Sequence, residues 1–290
     1  MPGRGATVGN VADDLGYFGP HSVTWRLHAD PVLWVGGLRA LFLQALHPLA
    51  MAGVEEHSGF RRDPWGRLFR TAEFVGVTSY GTRGEADRAA ARVRLRHSHY
   101  TGVEPESGRP YQVADPDLLL WVHCCLVDSF LTTARRAGLR LTASEADRYV
   151  AEQVRSATLA GIPVELPPRS VTELDGYFTR MRPELRLTAA ARAAARFVLL
   201  PPMPLTTQLL TPARPIWAGV AGLAFSLQPA WARRLYRLPG LPATDLGATL
   251  GLRWLRLAIR ALPPTLREGP NYKRAKARLA ETTVRRLDVV

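Results

Sequence analysis

Apolar residues recur at three- and four-residue steps along most of this chain, and strict alternation is scarce. That period stacks side chains on one face of an α-helix, not of a strand. Residues 32–52 form the longest early apolar run, a helix broken or kinked near Pro48. Asp63-Pro64 sets an N-cap before a proline at the first helical position and opens a helix to about Val77, ended by Gly81 to Gly84. Ala86, Ala89, Ala90, Val93, His97 and Tyr100 line one side of a helix over 85–100. A loop carrying Gly102, Pro105, Gly108 and Pro110 follows, and Asp115-Pro116 repeats the start signal. The helix it opens, 117–137, is apolar nearly all round and stops at Gly138, so it belongs at the centre of the fold.

The second half reads the same way. Ser144, with Asp147 three residues on, caps a helix over 144–159, and 163–168 is a linker. Helices follow over 170–181 and 188–200 before Pro201-Pro202-Met203-Pro204 breaks the chain. Shorter helices over 216–227, 229–236, 244–260 and 272–283 complete the pattern. No internal repeat or clear linker divides it. The expected fold is all-α, a single large helical domain of globin-like size with a central apolar helix.

The chain has 290 residues, 47% hydrophobic and 22% charged, enough for a sizeable buried core. Its formal net charge is +13, and of 38 basic residues only Lys273 and Lys276 are lysines. The arginines are spread out, except for a concentration over 273–286. Zinc-finger spacing, aromatic RNA-binding motifs and a helix-turn-helix are missing, so no specific nucleic-acid partner is expected. The charge reads as a solvated basic surface, or as weak peripheral attraction to an anionic membrane or an acidic partner.

Cys124 and Cys125 are the only cysteines, and helix neighbours point apart, which disfavours a disulfide. They read as buried apolar residues in a reducing compartment. Met1-Pro2-Gly3-Arg4-Gly5 lacks the apolar core of a signal peptide. The run 31–54 carries Arg39, Gln44, His47 and Pro48, which a membrane-spanning helix rarely accepts together. The expected location is cytoplasmic.

Three stretches hold polar residues where a plain core would not. Gln44 and His47 share a helix face inside the first apolar run, where they could satisfy each other or serve a site. Arg67, Arg70 and Thr71 stand at i, i+3 and i+4, a polar face that could bind carboxylates, place donors over a metal-bound ligand, or form surface ion pairs. His97-Ser98-His99 lies near His123 of the central helix and raises a zinc reading. Residues two apart on a helix diverge by about 200°, so His97 and His99 cannot share one ion. His97 continues the apolar face and His99 leaves it. A single inward imidazole suits haem iron better than zinc, but spacing alone favours a satisfied core histidine over either. Hydrolase and phosphate-loop motifs are missing.

These residues resemble a known family. Gly16-Tyr17-Phe18-Gly19-Pro20-His21-Ser22, then Leu38 to Pro48, Asp63 to Thr71, Tyr80-Gly81, His97 to Gly102 and Asp115 to His123 are similar to the latex-clearing proteins (rubber oxygenases) and the fungal MpaB-type oxygenases. The likeness spans about residues 15–235, so the chain is expected to be one haem-binding unit over 1–290 with a helical C-terminal extension over 236–290. The resemblance implies an α-helical fold holding b-type haem in a buried pocket, with one histidine on the iron and an arginine–lysine–threonine face opposite. By motif His97 matches the metal ligand, with His123 as the alternative. Arg67 and Thr71 match the arginine and threonine, as catalytic candidates together with Arg70.

Arg70 stands where the family has a lysine that can occupy the sixth iron site in a closed state. A guanidinium stays protonated and ligates iron very poorly, so that closed state is in doubt here. The family's acidic base falls near Glu55, Glu56 or Met51 without a unique match. The implied pocket is lined by the helices around His47 and Trp121. The implied activity is a haem-dependent oxidoreductase using dioxygen or a peroxide on a lipophilic small molecule or alkene. A haem-dependent dehydrogenase or tailoring enzyme of a natural product, and a non-catalytic haem sensor or binding protein, remain the alternatives.

Overall fold

The computed structural model of the chain describes residues 14–241 and 243–287, without the side chains at 209 and 285–287. The N-terminal five residues, read above for a signal peptide, lie outside the described residues, as do the side chains of Arg285 and Arg286. The protein is predominantly α-helical. In order come α1 (Val23–His28), α2 (Leu33–Gln44), α3 (Pro48–His57), α4 (Pro64–Tyr80) and α5 (Arg83–Ser98). A hairpin of β1 (Thr101–Val103) and β2 (Pro110–Gln112) separates them from α6 (Pro116–Arg136), α7 (Ala143–Ala160) and α8 (Val171–Met181). Then follow α9 (Ala189–Leu199), α10 (Leu205–Leu210), α11 (Ala213–Ser226), α12 (Ala230–Leu235), α13 (Thr244–Ala261), α14 (Pro264–Arg267) and α15 (Pro270–Leu287).

Most starts follow the expected chemistry. The Asp63 and Asp115 carboxylates accept from the backbone of Gly66 and Asp117, each with proline at the next position. Ser170 and Thr188 cap α8 and α9. The 32–52 run breaks at Pro48 as expected, into two helices, since Pro48 starts α3 and His47 Nδ1 accepts from Ala50 N at 3.4 Å as its cap. Three expectations need correction. The cap of α7 is Thr142, not Ser144, since Glu145 completes a reciprocal capping box with it. Thr82 and Glu85 do the same for α5, which therefore starts earlier, at Arg83. The loop after Tyr100 is an antiparallel hairpin with Gly102 opposite Tyr111, folded over the buried Glu104 carboxylate that accepts from Glu106 N and Ser107 N.

The core is built on α2 against α6. Trp121, Cys124 and Cys125 of α6 are fully buried among Leu38, Phe42, Leu43 and Leu46 of α2. The two backbones come close at Gly36, where an added Cβ would lie 2.9 Å from Phe130 Cδ1 and 3.2 Å from the Ser129 carbonyl. Burial pushes both thiols well above the ordinary cysteine range, so neither is a ready nucleophile. Gly138, at φ +84°, ends the turn after α6. Among the described residues α6 is also the one helix long and apolar enough to cross a membrane, but most of it is buried within the fold.

A charge sits in the middle of this packing. Arg39 of α2 is 2% exposed. Its Nη1 donates to Asp128 Oδ2 and to Ser129 Oγ, each at 2.7 Å, and its Nε to the Leu227 carbonyl at 2.9 Å. Its own carbonyl accepts from Gln228 Nε2 at 2.6 Å. This explains an arginine inside an apolar run: it ties α2 to α6 and to the α11–α12 junction. Arg39→Met is therefore expected to destabilise the fold by about 3 kcal/mol, through the stranded Asp128 and Leu227 groups. Urea unfolding checks it, and Arg39→Met with Asp128→Leu should recover part of the loss.

His28 gives a second expected outcome. Its Nδ1 lies 2.7 Å from Ser79 Oγ and its Nε2 3.1 Å from Tyr149 Oη. Burial drives its pKa from 6.5 to about 3, so the folded state holds it neutral. The unfolded chain takes up a proton as pH falls below 6.5, and folded His28 refuses it until about pH 3. Stability is complete above 6.5 and drains away across that window. Denaturation midpoints measured against pH should fall on acidification, with a smaller fall in His28→Gln.

Candidate active site

The central helix α6 packs against α2, α7, α3 and α13, and one of its faces is less deeply buried than the rest. Leu119, Val122, His123 and Leu126 fall at i, i+3, i+4 and i+7, one face of the helix. All four keep accessible surface, Val122 as much as 37%, while Leu120, Trp121, Cys124 and Cys125 on the other sides are buried. Leu119 and Leu126 still pack against the main core, so this stripe is partly rather than fully covered.

His123 stands in that stripe. Burial drives its pKa from 6.5 to about 4. Desolvation by the surrounding protein disfavours the charged ring and holds it neutral. His97 occupies the last turn of α5. Its Nδ1 is buried without a hydrogen-bond partner, and burial lowers its pKa below the ordinary value. His99 is the exposed C-cap of the same helix, so the pair is split between inside and outside. Nearly all buried polar atoms in proteins are paired, so an orphaned imidazole nitrogen needs an explanation.

The Arg67–Arg70–Thr71 face separates into three fates. Arg70 turns back to Asp63 and forms an exposed ion pair at 2.9 Å. That bond, with the Gly66 backbone N–H, holds the Asp63 carboxyl below its usual range. The Thr71 hydroxyl donates to the Arg67 carbonyl at 3.0 Å and stays exposed. Arg67 is half-buried and has neither a carboxylate nor a carbonyl partner among the described residues. Desolvation, then the neighbouring Arg70 charge, lowers its pKa. Leu68 beside it and Val75 lean on the main core, which places Arg67 at the edge of α4's inward side. The elements hold together in sequence: α4 packs on α5, α5 on α7, and α7 on α6.

Other expected residues have structural tasks. Trp121 is fully buried and donates to the Gln44 carbonyl at 3.0 Å, while Gln44 Nε2 donates to the Val122 carbonyl at 3.0 Å. His47 caps α3 with its ring centroid 5.9 Å from that of Trp121, and burial holds it neutral. These three fix the α2 end against the α6 stripe. Met51 packs in a separate apolar cluster with Ala45, Phe60 and Ala191. Glu56 accepts from Tyr111 Oη at 2.6 Å. Glu55 pairs with Arg61 at 2.6 Å, yet its Oε2 is buried and unpartnered. No three His, Cys, Asp or Glu side chains converge as a metal site among the described residues. Periodicity alone could not have shown the α6 stripe, because an all-round apolar helix hides which face its neighbours leave open.

The described residues show a helical protein that carries single desolvated imidazoles, His97 and His123, and a half-buried guanidinium, Arg67, without a carboxylate partner. The chain belongs to the family described as the ER-bound oxygenase mpaB/B′/rubber oxygenase catalytic domain, whose model matches residues 25–262. It is therefore an oxygenase-type enzyme by family. An uncharacterized protein of Mycobacterium bovis and one of Mycobacterium tuberculosis are each 26% identical over 224 residues, covering 70% of this chain and 77% of theirs. No solved structure matches the chain.

An unpaired, desolvated charge costs stability that only a ligand offsets. Arg67→Leu is expected to raise the stability of the ligand-free protein by about 1 kcal/mol. Exposed Arg70→Leu should change it by less than about 0.5 kcal/mol. Thermal unfolding of the two variants side by side checks the contrast.

Proposed function

We propose that the protein is a haem-dependent oxygenase of lipophilic small molecules, with His97 as the residue that holds the iron. The observation that carries this is the orphaned, desolvated His97 imidazole at the inner end of α5. A neutral imidazole with a free lone pair is what haem iron takes from a protein, and a single one suffices. The donor set fits the rest of the group. Arg67 offers an unpaired guanidinium to a carboxylate, such as a propionate, and the α6 stripe offers an apolar wall to a flat macrocycle. When bound, haem supplies iron chemistry that activates oxygen for transfer to an alkene or similar carbon centre.

The protein's own residues then have defined tasks. Leu119, Val122 and Leu126 exclude water and select an apolar substrate. Arg67 holds fixed donors near the reacting groups, and Thr71 stiffens that turn through its bond to the Arg67 carbonyl. Arg70, held by Asp63, is not free to approach a metal. Glu55 keeps one buried carboxylate oxygen that can accept a proton. His123, the second desolvated imidazole, is the rival ligand from the facing stripe.

The absorption spectrum tests this. The purified or haem-reconstituted protein should show a Soret band, His97→Ala should lose or shift it, and His123→Ala should leave the ligation unchanged. Loss of the band in His123→Ala alone would reassign the ligand. Protein that neither contains nor takes up haem would sink the reading. Product mass then separates oxygen insertion from the removal of two hydrogens.

A further inference from the structure

The helix α13 is amphipathic in an inverted sense. One side, with Ala248 and Leu252, is buried in the main core. The opposite side carries Leu246, Leu250, Trp254 and Leu257, which at about 100° per residue fall within one outward stripe. All four are exposed, Trp254 by 72%. Soluble surfaces scatter large apolar residues singly, so a continuous row with a tryptophan marks a contact surface.

The edge of this stripe is basic. Arg253 and Arg260 flank it along α13, while Arg256 turns inward to Asp30. Arg256 and Arg260 also line an open cavity of about 510 Å³ with Arg140, Arg267, Asp30 and Glu268 among its walls. The two carboxylates are already engaged, Asp30 by Arg256 at 2.7 Å and Glu268 by Lys276 at 3.0 Å. Arg140, Arg260 and Arg267 have no carboxylate partner among the described residues. The cavity therefore gathers guanidinium charge in excess of its carboxylates, next to α13.

We propose that α13 docks on an anionic phospholipid membrane, with the Leu/Trp stripe among the acyl chains and a headgroup phosphate in the arginine cavity. Charge complementarity selects this occupant. A second copy of the chain would bring the same arginines against each other, and a neutral apolar partner would leave them unused. A helix with leucine and tryptophan on one face and arginines beside them lies in the plane of a membrane interface. This surface is independent of the interior site and of any haem in it.

Co-sedimentation of the full chain with vesicles tests the surface. Phosphatidylcholine vesicles containing phosphatidylglycerol should carry the protein down, pure phosphatidylcholine should not, and added salt should weaken the binding. Leu250→Ser with Trp254→Ser should abolish partitioning while the circular dichroism and Tm stay unchanged, because both side chains point outward. Arg140→Gln and Arg260→Gln should each lower the partition coefficient about fivefold. Equal partition onto both vesicle types, or no effect of either set of variants, would overturn it. So would uptake of inorganic phosphate without vesicle binding. A dimer that Trp254→Ser converts to monomer, again without vesicle binding, would assign the stripe to a second copy instead.

Discussion

The fold depends on how one buried positive charge is satisfied. Arg39 cannot shed its proton, so its burial requires acceptors in the right places. Those acceptors come from two other parts of the chain: Asp128 and Ser129 on α6, and the Leu227 carbonyl beyond α11. Their directions fix the rotation of α2 on α6, and the absent side chain at Gly36 permits the close approach. Apolar burial supplies most of the driving force but no direction. The guanidinium supplies the direction.

Once α6 is locked on that side, its opposite side is fixed as well. Leu119, Val122, His123 and Leu126 are held in place by contacts made behind them. Gln44, His47 and Trp121 complete the support. Gln44 bridges to the Val122 carbonyl, its own carbonyl receives the Trp121 indole, and His47 starts α3. Polar residues that stand out in an apolar run thus position the wall of the site without lining it.

Much of this was legible in the sequence, and the illegible parts share a cause. Asp63-Pro64 and Asp115-Pro116 announce their helices because capping and proline geometry are local. The Thr142–Glu145 box is masked in the sequence by Ser144 and Asp147, since both pairs offer cap chemistry and only the complete reciprocal set decides. The hairpin was hidden in three-residue strands held by distant contacts such as Tyr111 to Glu56. Spacing grouped Arg67, Arg70 and Thr71 on one face, but Asp63, a further turn back, claims Arg70. Spacing likewise placed a helix over 244–260 without showing that α13 has two apolar sides, of which only the one with Ala248 and Leu252 meets the core. Periodicity reports what shares a face, and only packing reports what that face meets.

The inward character of the site then follows from a competition at the end of α5. His97 sits in the last turn, where the helix field favours a protonated imidazole by about 0.3–1 kcal/mol. Burial acts in the opposite direction and prevails, because the pKa is lowered. The outcome is a neutral ring whose lone pair is not consumed by any neighbour. Arg67 presents the complementary case, a permanent cation drawn out of water without a counter-ion. A sequence selected for stability alone would have paired or removed both, as it paired Arg39. Both stand on helices that pack directly against each other, α4 on α5, so two costs that stability alone would remove fall in one part of the fold.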